Sequence, residues 1–264
     1  MVRKATQRYD QTQLRKKSHG RTVHRDYASH FFRWGFVGSR VHGHRVLDVG
    51  CGQDTPFIYQ CSRFESLKPE MYLGVDMNKF DEPQVKWTHW KQKFDFVTRW
   101  KEILDEFGVF DTAVCLEVIE HMEKDDGSLL LEGIYECLDF GGTLYLSTPV
   151  FNGKAARNHV HEYTIKELKE SIEAAGFFVE ARYGTFASWG DIKKVASQQE
   201  MALMKQLKEW YSTEVLSCFL APIYPDSSRN NAWVLRKLEA GKAKKKKIAR
   251  KTPKKSEPTL FDDQ

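Results

Sequence analysis

The sequence predicts an α/β fold: a doubly wound, seven-stranded, mostly parallel sheet with helices on both faces. Two observations carry this. Short apolar strands alternate with helical patterns at the spacing of parallel crossovers. The first strand breaks into Asp48-Val49-Gly50-Cys51-Gly52, a glycine turn of the kind found where such sheets hold ligands. Hydrophobic residues make up 41% of the 264, enough for a sizeable core.

Residues 1–20 are polar and basic and read as a flexible arm. Aromatic and basic residues then interleave from His24 to Phe36. Tyr27, Phe31 and Trp34 recur at spacings of four and three, which predicts a helix packing that face on the domain. Strand one is Arg45–Val49. Strand two is Met71–Val75, ending at Asp76. Trp87–Trp90 is a weaker third strand, followed by Phe94-Asp95-Phe96. Phe110–Leu116 is strand four. Gly142–Ser147 is strand five, entered through the Gly141-Gly142 turn. Leu129, Leu130, Gly133, Ile134 and Leu138 share a helix face. Thr164-Ile165-Lys166-Glu167 opens another helix as a capping box, and Gly176 stops it. Phe177–Arg182 reads as strand six and Ala232–Arg236 as the last. Between these two strands, 186–225 is an insertion expected to lie on the substrate side, with one long helical stretch from Asp191 to Leu216. The domain is expected over 21–240. The Lys-rich tail 241–264 reads as disordered, with a Leu260-Phe261 pair near its end.

Charge is segregated. Residues 1–45 carry a net +9 and 241–264 a net +6, leaving −10 for the middle. Basic ends suit a polyanion such as nucleic acid, and equally serve as solubilising arms. Five scattered cysteines without a C-x-x-C pair suggest neither zinc nor a disulfide framework. No run of 18 apolar residues and no cleavable apolar leader is present, so a soluble, cytoplasmic protein with no membrane partner is expected.

Gly50 and Gly52 remove side chains, so the backbone can approach a ligand closely. Asp76 stands at the end of strand two, where a carboxylate accepts hydrogen bonds from both hydroxyls of a ribose. The loop is shorter than a G-x-G-x-x-G nicotinamide fingerprint, and there is no G-x-x-x-x-G-K-[ST] phosphate loop. Asp48 is well placed for the amino group of a ligand that lacks phosphates.

Val46-Leu47-Asp48-Val49-Gly50-Cys51-Gly52 resembles the first motif of class I S-adenosylmethionine-dependent methyltransferases. Gly74-Val75-Asp76-Met77 is similar to their second motif, with Asp76 as ribose ligand. Asp95-Phe96 resembles the adenine-contacting pair. The stretch from Phe110-Asp111 to Glu117-Val118-Ile119-Glu120-His121 is similar to the fourth motif, and Gly141-Gly142-Thr143-Leu144 to the fifth. The resemblance covers about residues 40–182 and 230–237. It implies a Rossmann-like methyltransferase fold and a cofactor site of Asp48, Gly50, Cys51, Gly52, Asp76, Met77, Asp95, Phe96 and Glu117. The Glu117-Val118-Ile119-Glu120-His121 string resembles the version in small-molecule O-methyltransferases, such as those of ubiquinone biosynthesis, and in small-RNA 2′-O-methyltransferases. In those families the two Glu and the His can bind a divalent cation. The resemblance therefore implies Glu117, Glu120 and His121 as ligands of a cation such as Mg, which would acidify an acceptor hydroxyl. Without metal, His121 or His161 is the expected base, and His159 and His161, just after strand five, are where another ligand or base could come from.

Leu116-Glu117-Val118-Ile119 replaces the [DNS]-P-P-[YFW] string of DNA amino-methyltransferases. Cys115 lacks the preceding proline of the DNA cytosine-C5 enzymes. Three functions remain open. The first is methyl transfer to a hydroxyl or amine of a small-molecule, sugar or lipid-like acceptor. The second is methylation of a nucleic acid or modified nucleotide guided by the basic termini, with Leu260-Phe261 resembling sliding-clamp-binding peptides. The third is a non-catalytic, cofactor-binding adaptor.

Overall fold

A computed structural model describes residues 25–52, 58, 64–83 and 85–238. The basic arm, the Lys-rich tail and the Leu260-Phe261 peptide lie outside these residues, as does the side chain of Tyr27. The described chain runs α1 (Arg25–Gly38), β1 (Arg45–Val49), β2 (Met71–Val75), β3 (Thr88–Lys91), α2 (Phe96–Phe107), β4 (Phe110–Leu116), α3 (Lys124–Cys137) and β5 (Leu138–Pro149). It continues with α4 (Ile165–Ala174), β6 (Phe178–Phe186), α5 (Trp189–Val195), α6 (Gln198–Leu207), α7 (Thr213–Leu220) and β7 (Asn230–Arg236).

The seven strands form one sheet in the order β3-β2-β1-β4-β5-β7-β6. β7 runs antiparallel to both neighbours, and the other pairings are parallel. The order reverses between β1 and β4, so ligands belong at the carboxyl edge beside these two strands. Alternation along β1 sends Leu47 and Val49 into a core shared with Ile103 of α2, Leu130 and Ile134 of α3, and Ile172 of α4. Val46 faces the opposite core, with Trp34 and Val37 of α1. Each face is covered by helix, as a parallel sheet requires. Among the described residues, no helix is long and apolar enough to cross a membrane.

Several boundaries differ from those the sequence suggests. β3 lies one residue later. β5 begins at Leu138, because the Gly141-Gly142 turn is a bulge inside the strand: Phe110 pairs with Leu138, but Thr112 pairs with Thr143. β6 extends to Phe186 and β7 begins at Asn230, since each supplies the other's backbone partners over this length. On α1, Ala28, Ser29, Arg33, Trp34 and Val37 are buried, whereas Phe31 is 38% exposed. The inward face is thus rotated from the aromatic stripe.

The single helix expected from Asp191 to Leu216 is three. Ser188, Ser197 and Ser212 each cap a new start, accepting from Asp191 N, Glu200 N and Val215 N respectively. Side-chain oxygens that satisfy the first free N–H groups compete with continuation of the previous helix. The capping box at α4 forms by half. Thr164 Oγ1 accepts from Glu167 N, while the Glu167 carboxylate turns instead to Lys124 Nζ at 2.7 Å and His161 Nε2 at 3.1 Å. The Lys124 ammonium, a charged partner, competes with a backbone N–H for the carboxylate.

Candidate active site

β1 ends in a turn with left-handed backbone at Gly50 (φ +76°) and Gly52 (φ +62°). A Cβ on Gly50 would lie 2.3 Å from Val118 Cγ2, so the turn rests directly on the residue after Glu117. Gly52 N donates to Asp76 Oδ2 at 3.0 Å, and Asn78 N donates to Asp76 Oδ1 at 2.7 Å. These bonds hold the Asp76 carboxylate beside the turn. Phe94 N donates to Asp76 O, bringing Asp95 next to it. Asp95 caps α2 by accepting from Val97 N, and Phe96 is buried in the core. Met77 is 60% exposed at the rim.

Asp48 shares the Val46 side of β1 and is buried. Tyr72 Oη donates to its Oδ2 at 2.5 Å. Burial outweighs this bond, and with the Asp76 charge pushes the Asp48 carboxyl up to about 7. Cys51 is buried beside these carboxylates, and burial with their charges pushes its thiol well up, making it a poor nucleophile.

Glu117 directly follows β4 and holds a left-handed backbone (φ +58°) unusual for its type. Its Oε1 accepts from Ser147 Oγ at 2.8 Å and its Oε2 from Asn230 Nδ2 at 2.7 Å. Arg33 Nη1 of α1 lies 3.7 Å from Oε1. Glu120 follows in a short turn and is fully buried. Thr148 Oγ1 donates to its Oε2 at 3.1 Å, and the amides of Val160 and His161 donate to its carbonyl. Burial, reinforced by the Glu117 charge, raises its carboxyl well above the usual range.

His121 Nδ1 lies 3.0 Å from the Asn158 carbonyl, and its ring meets that of His159 edge to face at 5.1 Å. A carbonyl only accepts, so Nδ1 carries the proton and the lone pair is on Nε2. Burial lowers the His121 pKa and favours this neutral form. His159 Nδ1 donates in the same way to Glu162 Oε1 at 2.6 Å. Glu120, His121 and His159 each offer a ligand atom within 4.8 Å of one another. The structure therefore joins two of the three expected cation ligands, Glu120 and His121, to His159. Glu117 is committed to Ser147 and Asn230. His161 turns its ring to Tyr163 and Glu167, outside the cluster.

Arg33, Ser147 and Asn230 were not anticipated. Asn230 lies 113 positions from Glu117, and only the sheet order brings β7 to the end of β4. The segment after β6 also begins at this edge, because β6 is parallel to β5 and its last residue, Phe186, pairs with Asn230. α1 closes over the same end: Ala28 packs with Phe186 and Cys218, and Phe32 meets Phe219 edge to face at 6.4 Å.

A family model described as a methyltransferase domain matches residues 20–181. Comparison with curated proteins finds no match. Among solved structures, a SAM-dependent methyltransferase from Archaeoglobus fulgidus is similar at TM-score 0.54 and 18% identity, covering 86% of this chain and 99% of that one. The methyltransferase domain of bacterial CtHen1-C matches at 0.51 and 18%, over 80% and 100%. The [4+2]-cyclase SpnF matches at 0.50 and 16%, over 81% and 82%. These likenesses establish the fold. That cyclase is named for a different chemistry, so the fold alone does not choose the acceptor.

Proposed function

The chain belongs to the methyltransferase-domain family, and from that premise we propose that it methylates a hydroxyl or amine of a small acceptor, with His121 as the proton-accepting group. It is a class I enzyme whose methyl donor is S-adenosylmethionine. The cradle fits that donor: Gly50 leaves room where a Cβ would collide with Val118, and Asp76 is fixed beside it. Bound there, the donor supplies a methyl group made electrophilic by its sulfonium. Asp76 would accept hydrogen bonds from the ribose hydroxyls, Gly50 and Gly52 would let the backbone approach, and Asp95 would border the adenine end.

The observation that carries the reading is His121, a half-buried imidazole oriented by Asn158 and lying one residue beyond the buried Glu120, on the strand end that touches the cofactor loop. Its Nε2 would take the acceptor proton as the acceptor oxygen or nitrogen bonds to the methyl carbon and the donor's S–CH3 bond breaks, leaving S-adenosylhomocysteine. α1 and the 186–225 segment line the acceptor side and exclude water. Most of the rate comes from holding the two reactants in line.

The Glu120–His121–His159 grouping favours a second reading, in which His121 Nε2 is a cation ligand and not the base, and a divalent cation activates an acceptor hydroxyl. Asn158 and Glu162 orient the two rings, as outer partners do for metal-bound histidines. Two imidazoles and one carboxylate suit a transition metal better than Mg.

Labelled S-adenosylmethionine incubated with protein and host extract tests the reading. Label in nuclease-resistant small molecules supports it. Label lost from the macromolecular fraction on nuclease treatment replaces it with a nucleic-acid acceptor. Full turnover in chelator removes the cation variant.

A further inference from the structure

We propose that the cleft between α5 and α6 is a binding site for a nucleoside phosphate. It shares no residue with the donor crevice and does not depend on which acceptor is methylated.

The cleft holds about 400 Å³. It is lined by Trp189 and Lys193 of α5, by Met201, Ala202 and Lys205 of α6, and by Lys208 directly after α6. Helical spacing builds both walls. Trp189 and Lys193 are four apart, and Met201, Lys205 and Lys208 follow at four and three, so each set shares a face. Trp189 and Met201 pack on the buried cluster of Ile192, Met204 and Leu216, while the three lysines are exposed. The floor is therefore apolar and the rim cationic. The volume falls in the range of small-ligand sites.

Charge sets the cleft apart from the rest of the domain. Residues 46–240 carry a net −10, yet three ammonium groups gather here. Among the described residues, no carboxylate lies within ion-pair distance of Lys193, Lys205 or Lys208. The acids of the same helices are turned elsewhere. Asp191 meets Lys194 Nζ at 3.0 Å and Arg229 Nε at 3.2 Å, and Glu200 accepts from Ser197 N at 2.6 Å. Lys208 Nζ stands 4.4 Å from the centre of the Trp189 ring, which holds one charge over the apolar floor. Like charges gathered without a counter-charge repel, and a ligand with more than one negative charge relieves this.

These features select the ligand's chemistry. A carboxylate brings one negative charge, whereas a phosphate monoester brings close to two at neutral pH. Indole and thioether surfaces suit a flat, polarisable body. The cleft is open on one side, so hydroxyl groups on the ligand's outer face stay in water. A nucleoside phosphate combines the planar base, the hydroxylated sugar and the doubly charged end.

Calorimetry on the full chain tests this, with S-adenosylhomocysteine at saturation so that nucleotide does not enter the donor crevice. The probes are uridine 5′-monophosphate, uridine and inorganic phosphate. Wild type should bind the monophosphate about fivefold or more tightly than either part alone. Joint Lys193→Gln and Lys205→Gln substitution should weaken the monophosphate about fivefold or more, the scale of two exposed ion pairs. Ala202→Glu, an exposed position in the cleft, should also weaken it by putting a negative charge on the floor. Both variants should keep S-adenosylhomocysteine affinity within about twofold, because the sites are separate. A short oligouridylate separates the two sources of this chemistry. Tighter binding than the monophosphate, lost in the variants, assigns the nucleotide to a strand; equal or weaker binding assigns it to a free nucleotide. The site is overturned if wild type does not bind the monophosphate, or if inorganic phosphate binds as tightly. It is also overturned if both variants bind the monophosphate normally, as they would if the basic ends of the chain held it.

Discussion

Asp48 is a residue whose environment departs far from its chemistry in water. It is a carboxyl on a buried strand, held by one tyrosine hydroxyl and pushed up to about 7 by burial. A carboxyl whose native pKa lies above its unfolded value of 3.8 stabilises the fold when protonated. That contribution is complete below about pH 4 and is lost as pH rises to about 7. Asp48→Asn should therefore melt several degrees above wild type at pH 8 without ligand, and together with it at pH 4. Thermal scans across this range read the difference; parallel curves at both pH values would contradict it. Gly50 makes a second prediction. Ala there adds left-handed strain and a contact 2.3 Å from Val118, so the cofactor Kd should rise tenfold or more, and Val118→Ala should restore only part of the loss. At this scale the sequence was most informative about the turn and Asp76, because both sit at strand ends in short local patterns. It was least informative about Arg33 and Asn230, which reach Glu117 only through helix docking and strand order. It also left His159 and His161 unresolved, since neighbouring loop positions point to different partners.

Among the elements, the sheet follows from apolar runs and turn residues, and its seven strands are found where the sequence places them. Their ends shift, because length is set by pairing with neighbours. The segment after β6 shows a readable signal that periodicity masked. Ser197-Gln198-Gln199-Glu200 is a capping box, and both of its bonds form at the start of α6. Ser197→Ala should cost about 1 kcal/mol locally. Hydrogen exchange should show faster exchange in α6 with β1, β4 and β5 unchanged. Equal loss of protection in the sheet would mean that α6 unfolds with the core.

At the scale of the whole molecule, the proposed donor site lies at the β1–β4 crevice, and α1 packs beside that edge on the end of β6 and on α7. α1 precedes the sheet, and the 186–225 segment follows β6. In the proposed reading the acceptor side is built from these parts, which lie outside the parallel strands, so the donor was legible in sequence and the acceptor was not. The strongly basic tail contributes nothing to the donor site in this account. Removing 241–264 should leave S-adenosylmethionine affinity unchanged, as read by calorimetry, and a large loss would place the tail at the site.

The central claim is that Asp76, fixed between Gly52 N and Asn78 N, holds the ribose of S-adenosylmethionine. Calorimetric titration of wild type and Asp76→Ala tests it most directly. Binding by wild type that is strongly weakened in Asp76→Ala is the predicted result. Unchanged affinity in the variant, or no binding by wild type, would contradict it.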